Sequence, residues 1–444
     1  MHAGPIAHHG AILHFVDDPG NARDPGRAME FYPDGLLVVR DGRIESIGDR
    51  RALKPWLPIG TRVVDHGEQL IVPGFVDTHI HYAQTDIVVS YGTELLDWLE
   101  RFAYPAERAF EDPAHGREVA AFFLQELLRN GTTTAMVFPT VHRESVEAIF
   151  AAAKPTRMRI IAGKVMMDRH CPEWLRDTPE SSYEDSKALI ERWHGKGRLA
   201  YAVTPRFAPT SSEAQLLVCA RLADEHPGVF IQSHLAENRA EVAWMKALYP
   251  SARSYLDVYE HYGLLRPRAV YAHSIHIDDA DRARMAETGS AAAFCPTSNL
   301  FLGSGLFDLG AARDAGVHVG IGTDIGGGTS FNMLRTLAEA YKVVKLAGKT
   351  LSPWRALYLG TLGGARALGL EAHVGSLAPG RDADFVVLDP MATPLMQRRM
   401  EHATTFEERL FAMMMLGDDR TIAATYVMGE CAYTKVVEGT RGGE

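Results

Sequence analysis

His79 and His81 stand one residue apart after the apolar pair Phe75-Val76, within the stretch VPGFVDTHIHYAQTD at residues 72–86. On an extended strand, residues i and i+2 share a face, so both imidazoles can point at one spot. An isolated H-x-H also fits an ordinary polar strand end, because short motifs recur by chance. Two converging neutral imidazoles are half of a divalent-metal site, so the choice between the readings depends on further donors. Three other stretches offer them: Ser233-His234-Leu235-Ala236-Glu237, Ala272-His273-Ser274 and Gly322-Thr323-Asp324. Singly, His234 and His273 read as core histidines bonded to backbone, and Asp324 as the cap of a following helix. Each stretch nevertheless closes an apolar run that reads as a strand, and agreement across four strand ends favours one shared site.

Those runs belong to a series. Apolar segments at 71–78, 132–138, 159–167, 199–205, 229–235, 269–274, 291–296 and 317–323 alternate with helical text such as 117–129, 212–226, 239–248 and 278–288. Strands buried on both faces and separated by amphipathic helices predict an α/β fold with parallel strands, and eight of them predict a TIM-like (β/α)8 barrel. An open doubly wound sheet is the alternative, weakened because no G-x-G-x-x-G follows the first strand. A barrel gathers the C-terminal ends of its strands at one mouth, where the histidines would meet. Short β segments precede the series, including a hairpin signal at Asp41-Gly42. More follow it, at 380–389, 422–428 and 431–437. The expected organisation is a small composite β-sandwich domain formed from both termini (1–70 and 371–444) around a barrel spanning 71–370.

The hydrophobic fraction of 46% and charged fraction of 23% are those of an ordinary globular chain, and 444 residues suffice for a large domain and a smaller one. Forty-six basic against 56 acidic residues leave a net charge of −10, which argues against nucleic acid as a partner. Cys171, Cys219, Cys295 and Cys431 form no C-x-x-C pair, so a cytoplasmic location is expected. His2, His8 and His9 read as part of a solvated tail, without the basic segment and apolar core of a signal peptide. No run of about 18 apolar residues appears, so no membrane partner is expected.

Three histidines and an aspartate around an open position suit a borderline metal such as Zn²⁺, which lowers the pKa of bound water to about 7. Glu237 follows His234 by three residues, where a carboxyl could pass protons between water and a substrate. Its structural alternative is helix capping before Arg239. Strand four ends in Val203-Thr204-Pro205-Arg206-Phe207 and carries no lysine to bridge two metals, so one ion is expected. Arg206 offers a fork of donors and Phe207 a stacking face. Gln84 presents donor and acceptor together, suited to a heterocyclic base. Trp98 could wall the same pocket, although aromatics at helical spacing are commonly core. Gly326-Gly327-Gly328 lacks the lysine of a phosphate loop, and neither H-x-E with P-C-x-x-C nor G-x-S-x-G occurs.

The set PGFVDTHIH, SHLAEN, AHS and GTD, with GRDADFVVLD near the C-terminus, resembles the amidohydrolase superfamily over nearly the whole chain. PGFVDTHIHYAQTDIVVSYGTELLDWLERFAYPAE and the PRF at strand four are similar to its guanine-deaminase branch. The resemblance implies Zn²⁺ held by His79, His81, His234 and Asp324, with iron as the other candidate ion, and a water oriented by His273. It implies guanine bound by Gln84, Arg206 and Phe207, with Glu237 and Asp324 as proton shuttles, and a homodimer. The expected reaction is hydrolysis of guanine to xanthine and ammonia. The alternatives are another heterocyclic amine (an oxidised purine, an adenine nucleoside, a triazine or a pterin) or a barrel serving as a non-catalytic scaffold.

Overall fold

The computed structural model describes residues 4–21, 24–92 and 94–435. Eight parallel strands follow one another around the barrel: Phe75–His81, Thr132–Phe138, Arg159–Ala162, Ala200–Pro205, Phe230–Leu235, Ala269–His273, Ala291–Phe294 and His318–Ile321. A short extra strand, Val165–Met166, pairs with the fourth. The ends of the order meet where the Asp324 amide donates to the His79 carbonyl at 2.9 Å. The Thr323 amide donates across the same seam to Asp77 Oδ1 at 3.1 Å.

Alternation along the strands explains why they read as continuous apolar runs. Val76, Met136, Ile161, Ala202, Phe230 and Val270 pack together in the barrel interior. Their neighbours Phe75, Ala135, Ile160, Tyr201, Ile231 and Tyr271 pack outward against helices. Both faces are therefore dry, as parallel sheets require. Helix Pro113–Arg129 shows the complementary pattern. Asp112 caps it by accepting from the Ala114 amide, Val119, Ala120, Phe123, Leu124 and Leu127 are buried, and it stops at Asn130 before Gly131 at φ 81°.

The terminal segments build one mixed sheet of seven strands, ordered Glu430–Thr434, Ile422–Val427, Phe385–Leu388, Arg62–Pro73, Ile6–Phe15, Met29–Arg40 and Arg43–Asp49. It curls over its own core of Ile12, Leu37, Val39, Ile44, Ile71, Phe385 and Val387, bringing Arg43 into a bridge with Asp382.

Several expectations need correction. The run at 71–78 is two strands: Ile71 and Val72 belong to the terminal sheet, and barrel strand one starts at Phe75. Gly74 makes the crossing, where a Cβ would fall 2.2 Å from Thr133 Oγ1. His8 and His9 lie in the strand Ile6–Phe15, between two partner strands, rather than in a solvated tail. His8 is pushed down to about 3 by burial and then by His66, and His9 bonds Asp34 and Asp65 at 2.8 and 2.9 Å. His2 lies outside the described residues, as do 436 and 437 of the last predicted strand. Helices Pro394–Glu401 and Phe406–Leu416, absent from the sequence reading, lie between the sheet's C-terminal strands.

Candidate active site

A β-bulge aims the first two histidines. Asp77 and Ile80 face Ala135 and Val137 of strand two, so three steps on one strand match two on its neighbour. Val76 points inward and Ile80 outward, and the extra residue lets His79 and His81 join the inner face. Asp77 fastens the bulge, accepting from the amides of His79 and Thr323 at 3.2 and 3.1 Å. On strand five no irregularity is needed, because His234 keeps the parity of Phe230. On strands six and eight the turn comes from backbone: His273, Ser274 and Asp324 adopt φ 67°, 50° and 52°, and Ala236, just past the end of strand five, adopts 48°. Left-handed non-glycine residues cost energy, and four around one mouth mark a site held by its surroundings.

The predicted donors do converge. Ligand atoms of His79, His81 and His234 lie within 4.8 Å of one another, as do those of His79, His273, Cys295 and Asp324. His81 Nε2 and His234 Nε2 are 3.1 Å apart. Asp324 Oδ1 stands 3.2 Å from His79 Nε2 and 3.4 Å from His81 Nε2, joining the two groups. Burial holds all three of these imidazoles well below 6.5, with mutual repulsion and Arg206 adding to it, so each presents a lone pair. His79 Nε2 is buried without a hydrogen-bond partner, since its approach to Asp324 lacks hydrogen-bond geometry. Converging lone pairs, an orphaned nitrogen and a carboxylate are an unfavourable arrangement that a divalent cation resolves, so these residues fit a metal. The thiol of Cys295 is pushed well up by burial and then by Asp324, which favours its neutral form.

The outer groups set ring orientation. His234 Nδ1 donates to the Arg206 carbonyl at 2.7 Å, which leaves Nε2 free toward the cluster. His273 Nδ1 meets Asn299 Oδ1 at 2.9 Å, and its Nε2 lies 3.3 Å from Glu237 Oε2 and 3.7 Å from Asp324 Oδ2. Glu237 Oε1 accepts from Ser304 at 2.9 Å. Burial and then the nearby Asp324 push the Glu237 carboxyl up to about 8, and burial pushes Asp324 up to about 6. Neither caps a helix. Asn238 caps the one after strand five with Glu241 in a capping box, and Asn332 caps the one after strand eight.

These groups floor a cleft whose walls include Gln84, Trp98, Arg206, Phe207, Leu302 and Gly327. All four predicted wall residues, Gln84, Trp98, Arg206 and Phe207, are therefore present. Trp98 is both wall and core, and its Nε1 donates to the Ser90 carbonyl at 3.1 Å. Four residues that matter were missed: Glu107, Asn299, Ser304 and Glu241. Only Glu241 had a signal, being three residues past a capping asparagine. The others act through long-range contacts without a local pattern.

Residues 70–432 match the model of the amidohydrolase family. The chain is 52% identical over 426 residues to the guanine deaminase of Escherichia coli K12, covering 96% of this chain and 97% of that protein. The solved E. coli guanine deaminase superposes with a TM-score of 0.95, covering 97% of this chain and all of that one. A guanine deaminase from C. acetobutylicum, solved with guanine in its active site, superposes at 0.87 with 28% identity, covering 97% and 100%.

Proposed function

The chain belongs to the amidohydrolase family, and we propose that it hydrolyses guanine to xanthine and ammonia in the cleft at the barrel mouth. The observation that carries the substrate is the 52% identity, over 96% of the chain, to a guanine deaminase. The geometry suits that chemistry, with a cation-binding cluster and a protonated carboxyl on the floor and an arginine, an amide and aromatic rings on the walls.

In this reading His79, His81, His234 and Asp324 hold a single ion, for which nitrogen and oxygen donors favour Zn²⁺, with iron the other candidate. Such an ion, when bound, lowers the pKa of water toward about 7 and makes a nucleophile available at neutral pH. Glu237 and Asp324 handle the protons, with His273 between them. As the water oxygen bonds to C2 of guanine, one of its protons goes to Asp324. Glu237 gives its own to N3, the ring nitrogen beside C2 that carries no hydrogen. His273 Nε2, placed between the two carboxyls, steadies the tetrahedral carbon. Asp324 then returns its proton to the C2 amino group, which leaves as ammonia with the C–N electron pair. The remaining C2 hydroxyl proton restores Glu237, and xanthine remains. Phe207 and Trp98 enclose the ring, and Arg206 and Gln84 read its polar edge.

We assign the protein to the cytoplasm on its four free cysteines, and expect a homodimer from the family resemblance, which sedimentation would test. No helix among the described residues is long and apolar enough to cross a membrane. The test of function is ammonia release by zinc-loaded protein. Release that depends on guanine is expected, and its absence refutes the substrate assignment.

A further inference from the structure

Glu107 is a fully buried carboxylate with no place in the chemistry above. It sits on the short helix Tyr104–Arg108 and is not a wall of the cleft. Its Oε1 accepts from Arg206 Nη1 at 2.8 Å and from Gln84 Nε2 at 3.0 Å, and its Oε2 accepts from Arg206 Nη1 at 2.7 Å. Tyr104, one turn earlier on the helix, lies under the Arg206 guanidinium, 5.3 Å from ring centroid to Cζ. One carboxylate thus holds the two polar groups that the proposed function assigns to reading the purine.

We propose that Glu107 is a positioning residue that sets the donor–acceptor polarity of the cleft wall. The inference rests on the guanine reading. An ionised carboxylate only accepts hydrogen bonds, so Gln84 must turn its NH₂ toward Glu107. That leaves Gln84 Oε1, an acceptor, beside Gly326, where an added Cβ would lie 2.0 Å from it. Arg206 spends Nη1 on Glu107 and keeps Nε and Nη2 as donors. The wall therefore offers guanidinium donors and an amide acceptor at fixed places. It is complementary to a base edge that pairs a ring or carbonyl acceptor with an N–H. Gln84 Nε2 also lies 3.4 Å from His81 Nδ1, the nitrogen that carries the hydrogen when Nε2 faces the cluster, so without Glu107 the amide would turn its oxygen to that N–H and present a donor to the cleft instead.

Glu107→Gln tests this with little change of volume. The new amide must place its NH₂ at one of the two oxygens, and both lie within 2.8 Å of Arg206 Nη1, so a donor meets a donor in either orientation. With its oxygen at the Oε1 place it displaces the guanidinium, and with its oxygen at the Oε2 place it makes Gln84 turn its oxygen toward residue 107 and its NH₂ toward the cleft; both change the donor–acceptor pattern of the wall. Zinc-loaded wild type, Glu107→Gln, Gln84→Ala and the double variant are compared for metal content, melting temperature, kcat and KM for guanine. The expected result is unchanged metal content, a guanine KM raised about 10–100-fold, and kcat within about threefold of wild type. The loss from Glu107→Gln should also shrink once Gln84 is alanine. A KM within twofold of wild type, strict additivity with Gln84→Ala, or losses that track metal content or melting temperature would each overturn the inference. A wild type that releases no ammonia from guanine overturns the function itself. A working wild type with an unaffected Glu107→Gln variant overturns the positioning role alone.

Discussion

Glu237→Gln separates proton transfer from architecture at one position. The Glu237 carboxyl is buried and pushed up to about 8, chiefly by burial. At neutral pH it keeps the proton that the proposed step delivers to N3. Glutamine has the same shape and no charge. Its carbonyl can take over acceptance from Ser304 Oγ, now 2.9 Å, and its amide can face His273 Nε2, now 3.3 Å. Fold and metal content should persist. What disappears is a group that can give and regain a proton, worth about 10²–10⁴ in rate. At about 1.4 kcal/mol per decade this is about 3–5 kcal/mol of barrier. The assay is guanine-dependent ammonia release at matched metal content, followed from pH 6 to 9. Wild-type turnover should fall on the alkaline side as Glu237 ionises, at or below pH 8 because a neighbouring divalent ion draws the carboxyl down. The variant should be slow and lack that limb. Turnover within threefold of wild type at equal metal content would remove Glu237 from the reaction.

Gly326→Ala should disturb recognition while sparing the metal: its φ is 114° and a Cβ would lie 2.0 Å from Gln84 Oε1, so Gln84 must move. A loss of about 10–100-fold in kcat/KM for guanine at unchanged metal content is expected from a displacement of that size, and an unaffected kcat/KM would refute it. Removal of metal should make stability depend on pH in a particular direction. Glu237 and Glu241, raised from 4.5 to about 8 and about 7, keep protons in the folded state that the unfolded chain has released. Their contribution is therefore lost as pH rises from 4.5 through those values. His79, His81 and His234, held neutral when folded, act oppositely, but only below about 6.5. Between pH 6.5 and 8 these carboxyls act in the same direction as Asp77, raised by burial to about 7, and Glu237 accounts for about 2 kcal/mol of destabilisation. The melting temperature of chelated protein should fall across that window and that of reloaded protein should not, whereas a rise in the chelated protein would contradict the burial argument.

The donors that were legible from sequence share a property: each terminates a strand whose two dry faces make it readable as a run. The fold and the four strand-end histidines followed from that repetition alone. What the repetition could not convey was aim. Counting alternately from Val76 turns His79 and His81 away from the barrel interior, and only the bulge between Asp77 and Ile80 turns them back. His273 likewise depends on a left-handed backbone that no neighbouring glycine announces. Polarity was the least legible feature. Arg206 and Gln84 could be named as readers of a base because their side chains carry the right atoms. Which atoms remain for the base depends on Glu107, 99 residues before Arg206 and 23 after Gln84, on a helix whose local pattern gives no reason to bury a charge. A buried acid earns its place by what it accepts from. Glu107 accepts from both Arg206 and Gln84, so on the proposed reading the wall's preference for one base edge is a tertiary property, set in part by a side chain outside the cleft.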